Sequence, residues 1–247
     1  MSTVFVAPKG NDRGTGSVRN PFATLARAIE ASRAGGKGKS GRVVLRGGEY
    51  FDVSVTLTAA DSGLTIEAGE GEKPVLYGGR LVTAWKKDGR FWAASLPGVR
   101  EGDWDFRSLV VDGRYCPRAR FPSEGKLTHE SRFKVRWMST TKGGWGRKPT
   151  KRELTTMKIR PGDLPRTVEP KNLELAVYHS WDESVVGVRS IDHKTGLVRF
   201  SIPSGHPPGA FCGWKEQCCQ YVAWNVREGL TEPGQWYLDR ARGCVVY

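Results

Sequence analysis

The hydrophobic pattern changes period once within the first third of the chain. Val4-Phe5-Val6 reads as a short strand, and the Gly-, Asn-, Asp- and Ser-rich run after it is loop chemistry. Asn20 is placed to cap a helix and Pro21 suits its first position. Phe22, Leu25, Ala26 and Ile29 then follow the i, i+3, i+4, i+7 spacing of a single apolar face. The spacing predicts an amphipathic helix of about twelve residues, ended by Gly35-Gly36. From Arg42 onward short strand-like runs alternate with glycine-rich corners: Arg42–Leu45, Val53–Leu57, Leu64–Ala68 and Pro74–Tyr77. Val44 and Ile66 are 22 residues apart. A repeat of that length suits a parallel β-solenoid, whose coils bury their faces only against one another. The preceding helix would cover the open apolar end.

A second pattern begins near residue 80. Leu81–Trp85, Phe91–Leu96, Ser108–Val111, Leu173–His179, Val185–Ile191 and Val198–Ile202 are short strand candidates. Turn signals such as Lys87-Asp88-Gly89, Asp112-Gly113 and Lys194-Thr195-Gly196 punctuate them, as in an antiparallel sandwich or barrel-like module. The expected organisation is residues 1–80 as capping helix and first coils, 81–220 as an inserted antiparallel β module, and 221–247 as a segment returning to the coils. The last run, Cys244–Tyr247, is strand-like to its final residue. Open strand edges are normally covered, so it is expected to pair with a second polypeptide or a second copy of the chain.

Composition narrows the class. With 31 Gly, 14 Pro and 38% hydrophobic residues, nine of them Trp, the chain fits a turn-rich β protein and not a disordered one. No run approaches the roughly 18 apolar residues of a membrane span, and the N-terminus lacks the basic-then-apolar pattern of a signal peptide.

The net charge of +13 is unevenly placed: residues 126–166 hold twelve Lys/Arg against three acids. Arg136, Lys142, Arg147, Lys148, Lys151 and Arg152 are the candidate polyanion contacts, interleaved with Trp137, Trp145 and glycines. The segment reads as a solvated loop or as a surface for an acidic or sulfated glycan. Nucleic acid is disfavoured because no compact recognition motif accompanies the charge. The five cysteines are odd in number and lack CxxC spacing, which favours reduced thiols and a non-oxidising compartment. The four histidines are scattered, so no metal site is expected. Nothing calls for a cofactor.

The best local chemistry is His179-Ser180-Trp181-Asp182-Glu183, together with His206 between Gly205 and Pro207. On a strand, His179 and Trp181 would share a face and Trp181 could stack on a sugar, or it could be a core residue. Asp182 and Glu183 would then face opposite sides and could not straddle one bond. Both also fit a structural turn or ion pair, as His206 fits a loop residue held by its prolines. Asp239 reads as a turn residue.

Four runs carry a family resemblance. GNDRGTGSVRNPFATLARAIEA resembles the first coil of right-handed parallel β-helix proteins of the pectate-lyase-like class. PGDLPRTVEPKNLELAVYHSWDESVVGVRSID, RFSIPSGHPPGAF and YVAWNVREGLTEPGQWYLDRARGCVVY resemble bacterial β-helix glycoside hydrolases in which a β-sandwich interrupts the helix near its start. The resemblance implies polysaccharide processing by two carboxylates flanking a glycosidic bond. In that family they lie on later coils, beyond residue 247, so no catalytic residue is carried over. It also implies a periplasmic or secreted setting, against the thiol argument. The expectation is a non-catalytic N-terminal region that shapes a carbohydrate cleft. The alternative is an autonomous module binding anionic glycan through residues 126–166.

Overall fold

In the first unit, Met1–Val82, every strand pairing is parallel among the described residues. The computed structural model describes residues 3–33, 41–138, 143–212 and 219–247. The elements of this unit are β1 (Thr3–Val6), α1 (Leu25–Arg33), β2 (Arg42–Leu45), β3 (Gly48–Tyr50), β4 (Thr65–Ala68) and β5 (Pro74–Leu76). The β1-β2-β4 order forms one sheet and β3-β5 another. Val43 lies opposite Ile66, and Glu49 opposite Val75.

The helix differs from the predicted one. It begins at Leu25, because Asp12 accepts the Ala23 and Thr24 amides at 2.8 and 2.9 Å and Thr24 Oγ1 accepts the Arg27 amide. Phe22 instead bonds to Phe5 and Ala7 beside β1. Ala26 is exposed, and the buried face is Leu25, Ala28, Ile29 and Ser32. It packs with Val6, Phe22, Val43, Leu45 and Tyr50. Gly35 and Gly36 lie outside the described residues. Val53–Leu57 is not a strand, and Val55 and Leu57 are exposed. Pairing occurs earlier, in β3, where the Tyr50 hydroxyl reaches the Arg46 and Val6 carbonyl oxygens at 2.7 and 3.1 Å.

The second unit, Thr83–Tyr247, pairs its strands antiparallel. Its first elements are β6 (Lys86–Asp88), β7 (Phe91–Ser95), β8 (Leu109–Val111), β9 (Arg114–Cys116), β10 (Arg120–Phe121) and β11 (Leu127–Thr128). They continue with β12 (Trp137–Met138), β13 (Gly144–Trp145), α2 (Lys151–Thr155), β14 (Thr156–Lys158), β15 (Glu174–Tyr178) and β16 (Glu183–Asp192). β17 (Leu197–Phe200), β18 (Gln220–Trp224), β19 (Tyr237–Asp239) and β20 (Cys244–Val246) complete the unit. Leu81–Trp85 is not a strand; pairing starts at Lys86. Asp112-Gly113 does make the predicted tight hairpin, with φ of 49° and 74° at its two positions.

A seven-stranded sheet in the order β10-β18-β15-β16-β17-β14, with β11 also on β18, carries the main core. Its buried side chains include Met157, Leu175, Val177, Val186, Val198 and Tyr221. A four-stranded sheet runs β19-β20-β7-β6.

The chain is mostly β and its sheets are largely antiparallel, so the parallel pairing expected of a β-helix is confined to the first unit. Residues 221–247 are part of the second unit: β18 lies inside the large sheet and β20 inside the small one. The expected open edge at Cys244–Tyr247 is therefore filled on both sides. β19 pairs along one edge of β20 and β7 along the other, since Trp92 and Tyr247 exchange backbone hydrogen bonds at 2.7 and 2.8 Å.

Candidate functional site

The run His179–Asp182 is a turn and not strand. β15 and β16 remain paired up to Tyr178 opposite Glu183. The His179 amide donates to the Asp182 carbonyl oxygen at 2.9 Å and closes the four-residue connection. The turn places Trp181 at its tip with 70% of its surface exposed. His179 points inward and is buried, its Nε2 2.9 Å from Ser184 Oγ.

A second loop brings His206 to the same place. The Gly205 amide donates to Ser184 Oγ at 2.9 Å. The Ser204 amide donates to the Leu154 carbonyl oxygen, also at 2.9 Å. The His206 ring then lies 5.4 Å from that of His179, and its Nε2 is 3.5 Å from Asp182 Oδ2. Farther along, Phe211 adopts φ = 63°, the left-handed region that a bulky side chain rarely enters.

Phe211 is the hub of an aromatic cluster. Its ring centre is 4.6 Å from Trp181, 4.7 Å from Trp145, 5.3 Å from His206 and 5.7 Å from Trp137. Trp137 and Trp145 are direct cross-strand partners in the β12–β13 hairpin, 4.9 Å apart edge-to-face. Trp137 and Trp181 keep exposed surface. The result is a partly open aromatic surface with one carboxylate and one imidazole at its edge, a composition that suits the apolar C–H face and hydroxyl rim of a sugar.

Burial sets the electrostatics beneath these rings. Loss of solvent lowers the His179 imidazole to about 4, with Asp182 opposing and His206 reinforcing. Burial likewise lowers His129 to about 4, aided by Arg132 and His179. Three of the chain's four histidines thus gather here, and the two buried ones are held neutral.

Of the sequence candidates, His179, Trp181, Asp182 and His206 converge. Glu183 does not: it lies opposite Tyr178 in the β15–β16 ladder, where burial first and then its charge raise that hydroxyl's pKa, whereas Asp182 faces His206, so the two adjacent acids have different neighbours. The described residues of 126–166 are not one loop. They supply β11, the Trp137/Trp145 hairpin, α2 and β14, with Met157 and Ile159 in the core. Arg147 is engaged with Glu153 at 2.6 and 2.8 Å and lies over the Phe133 ring. Arg136, Lys148, Lys151 and Arg152 are exposed, and Lys142 lies outside the described residues.

The cysteine reading is also corrected. Cys212 and Cys219, with Cα atoms 6.3 Å apart, form a disulfide; Cys116 and Cys244 are free. Among the described residues no group of three His, Cys, Asp or Glu is arranged to hold a metal ion. None of the described helices is long and apolar enough to cross a membrane.

Sequence reasoning missed Phe211 and His129. It placed Trp137 and Trp145 only among loop aromatics. Two tryptophans flanking a Lys-Gly-Gly turn signal were the available clue to a hairpin with facing indoles.

No known family's sequence profile matches the chain, and no curated protein matches it. Among solved structures, one described as "Glycoside hydrolase" superposes with a TM-score of 0.69 at 22% identity, over 100% of this chain and 43% of that one. Another, described as "The complex structure of XylC with xylose", covers 96% of this chain and 33% of that one at 15% identity. Its TM-score is 0.33. The chain spans less than half of either neighbour, and its likeness to the first is one of fold.

Proposed function

We propose that this chain is the non-catalytic, sugar-holding N-terminal region of a polysaccharide-processing protein of the β-helix glycoside-hydrolase type. In this reading the parallel ladders of the first unit are the first coils and α1 covers their end. The second unit is the inserted module, and its aromatic surface forms one wall of a carbohydrate cleft. One observation carries the reading: an exposed Trp181 ring packed 4.6 Å from Phe211, beside the Asp182–His206 pair. The likeness of fold to a glycoside hydrolase supports the carbohydrate class. The different neighbours of Asp182 and Glu183 support a holding role, because glycosidic cleavage needs two carboxyl groups facing one bond.

The test is titration of the purified chain with xylo-, fuco- and galacturono-oligosaccharides, followed by tryptophan fluorescence, beside Trp181→Ala. Saturable quenching that is lost in the variant is expected. Parallel turnover assays on xylan, fucosylated and pectic substrates should show none. Turnover that disappears in an Asp182→Asn/Glu183→Gln double variant would overturn the non-catalytic reading, and quenching unchanged by Trp181→Ala would overturn the platform.

A further inference from the structure

We infer that the aromatic site selects an uncharged saccharide, read through a vicinal diol by Asp182, and disfavours acidic sugars, although the surrounding segment is basic. The inference rests on the reading that this surface holds a sugar. Asp182 is the carboxylate at the cluster, with 46% of its side chain exposed. Its ion-pair partner among the described residues is the His206 imidazole, 3.5 Å from Oδ2, which is cationic only when protonated.

A carboxylate accepts hydrogen bonds through two oxygens and donates none. With one oxygen turned toward His206, lone pairs remain that face solvent beside the exposed Trp181 ring. Two hydroxyls on neighbouring sugar carbons can donate to such a group while the C–H face of the ring rests on the indole, and hydrogen bonds to a charged acceptor are the stronger kind.

Three cations of this region are engaged elsewhere. Arg147, the guanidinium over the cluster's Phe133 ring, is committed to both oxygens of Glu153. Lys126 sits 3.6 Å from the ring centre of Tyr178, the cross-strand partner of Glu183. Lys158 bonds the Thr195 carbonyl oxygen. A uronate here would bring a second negative charge beside Asp182 in partly desolvated surroundings, where repulsion is poorly screened.

The experiment compares matched ligands: galactose-based oligosaccharides and galacturonate-based oligosaccharides of equal length, with a xylo-oligosaccharide as a second neutral probe. Affinities are measured calorimetrically near physiological salt for the wild type, Asp182→Asn and Trp181→Ala. The wild type should bind its better neutral ligand at least about tenfold more tightly than the uronate, about 1.4 kcal/mol. Asp182→Asn should weaken neutral binding about tenfold and bring the neutral-to-uronate ratio within about threefold.

Tighter binding of the uronate, falling steeply with salt, would overturn the inference while leaving the sugar platform standing, provided Trp181→Ala still abolishes it. An unchanged ratio in Asp182→Asn would overturn the role of Asp182. Binding insensitive to Trp181→Ala, or no binding of any probe, overturns both readings. Asp182 is half-exposed, so its variant should fold, and far-ultraviolet circular dichroism checks this.

Discussion

Arg118 Nη2 donates to Glu174 Oε1 at 2.8 Å, with only 9% and 5% of the two side chains exposed. Arg118 Nη1 and Arg107 Nε hold the other oxygen at 3.0 and 2.9 Å, and Arg240 joins the first. Burial alone would raise the carboxyl, but the arginines outweigh it and hold Glu174 at about 2. Glu174 opens β15, the strand whose far end delivers the His179–Asp182 turn, so this buried cluster anchors the base of the site. Glu174→Gln leaves the buried Arg118 without its carboxylate partner, while Arg240 keeps Asp105, and should cost about 3–5 kcal/mol in urea unfolding. Because the folded carboxyl lies below its ordinary 4.5, its contribution is present above that value and is lost as pH falls toward about 2. Arg107, 63% exposed, should cost only about 1 kcal/mol when changed to Ala.

A pH dependence should come from His129 and His179. Both imidazoles lie below their ordinary 6.5, near 4, in the fold. Between those values the unfolded chain binds more protons, so stability falls as pH falls, by about 1.4 kcal/mol per pH unit for each group. Neither ring nitrogen of His129 has a protein partner. His129→Leu should therefore be neutral or stabilising at pH 7 and should remove about half of that slope. Unfolding curves at several pH values between 4 and 7 check it.

Gly209 should be intolerant of any side chain. Its φ is +86°, and a Cβ there would lie 2.3 Å from the Ser131 carbonyl oxygen. Gly209→Ala must push apart the loop carrying Phe211 and the irregular segment leading to Trp137. A loss of about 1–3 kcal/mol and a weaker near-ultraviolet tryptophan signal are expected. Gly113→Ala, at φ +74° with open space around it, should cost about 1 kcal/mol and leave that signal intact.

In the first unit, Leu25→Asp would bury a lone carboxylate among Phe22, Ile29 and Val43. A cost of several kcal/mol, on the order expected for an unpaired buried charge, should appear as a large drop in melting temperature. Ala26→Asp, on the exposed side of α1, should change it little. Equal melting temperatures for the two variants would refute the packing of this helix face.

Local pattern was enough to place β2, β4, β5, β7, β8 and the β15–β17 meander nearly to the residue, because alternation and turn chemistry act over a few positions. It was enough, too, to nominate His179, Trp181, Asp182 and His206. It misjudged α1's start, since the competing partners of Ala23 and Thr24 come from Asp12, eleven and twelve residues away. It treated 126–166 as a loop because charge and glycine masked two-residue strands, which are too short for any periodicity to register. What only the tertiary structure decided is convergence. Hydrophobic period reports which face of an element is buried, but not which distant element meets it. Phe211 meets Trp137 and Trp181 because the loop carrying His206 and Phe211 is pinned to Ser184 and to Leu154, through hydrogen bonds spanning 21 and 50 residues. Those are long-range contacts, whose formation depends on the whole sheet closing and not on the residues beside them in the chain.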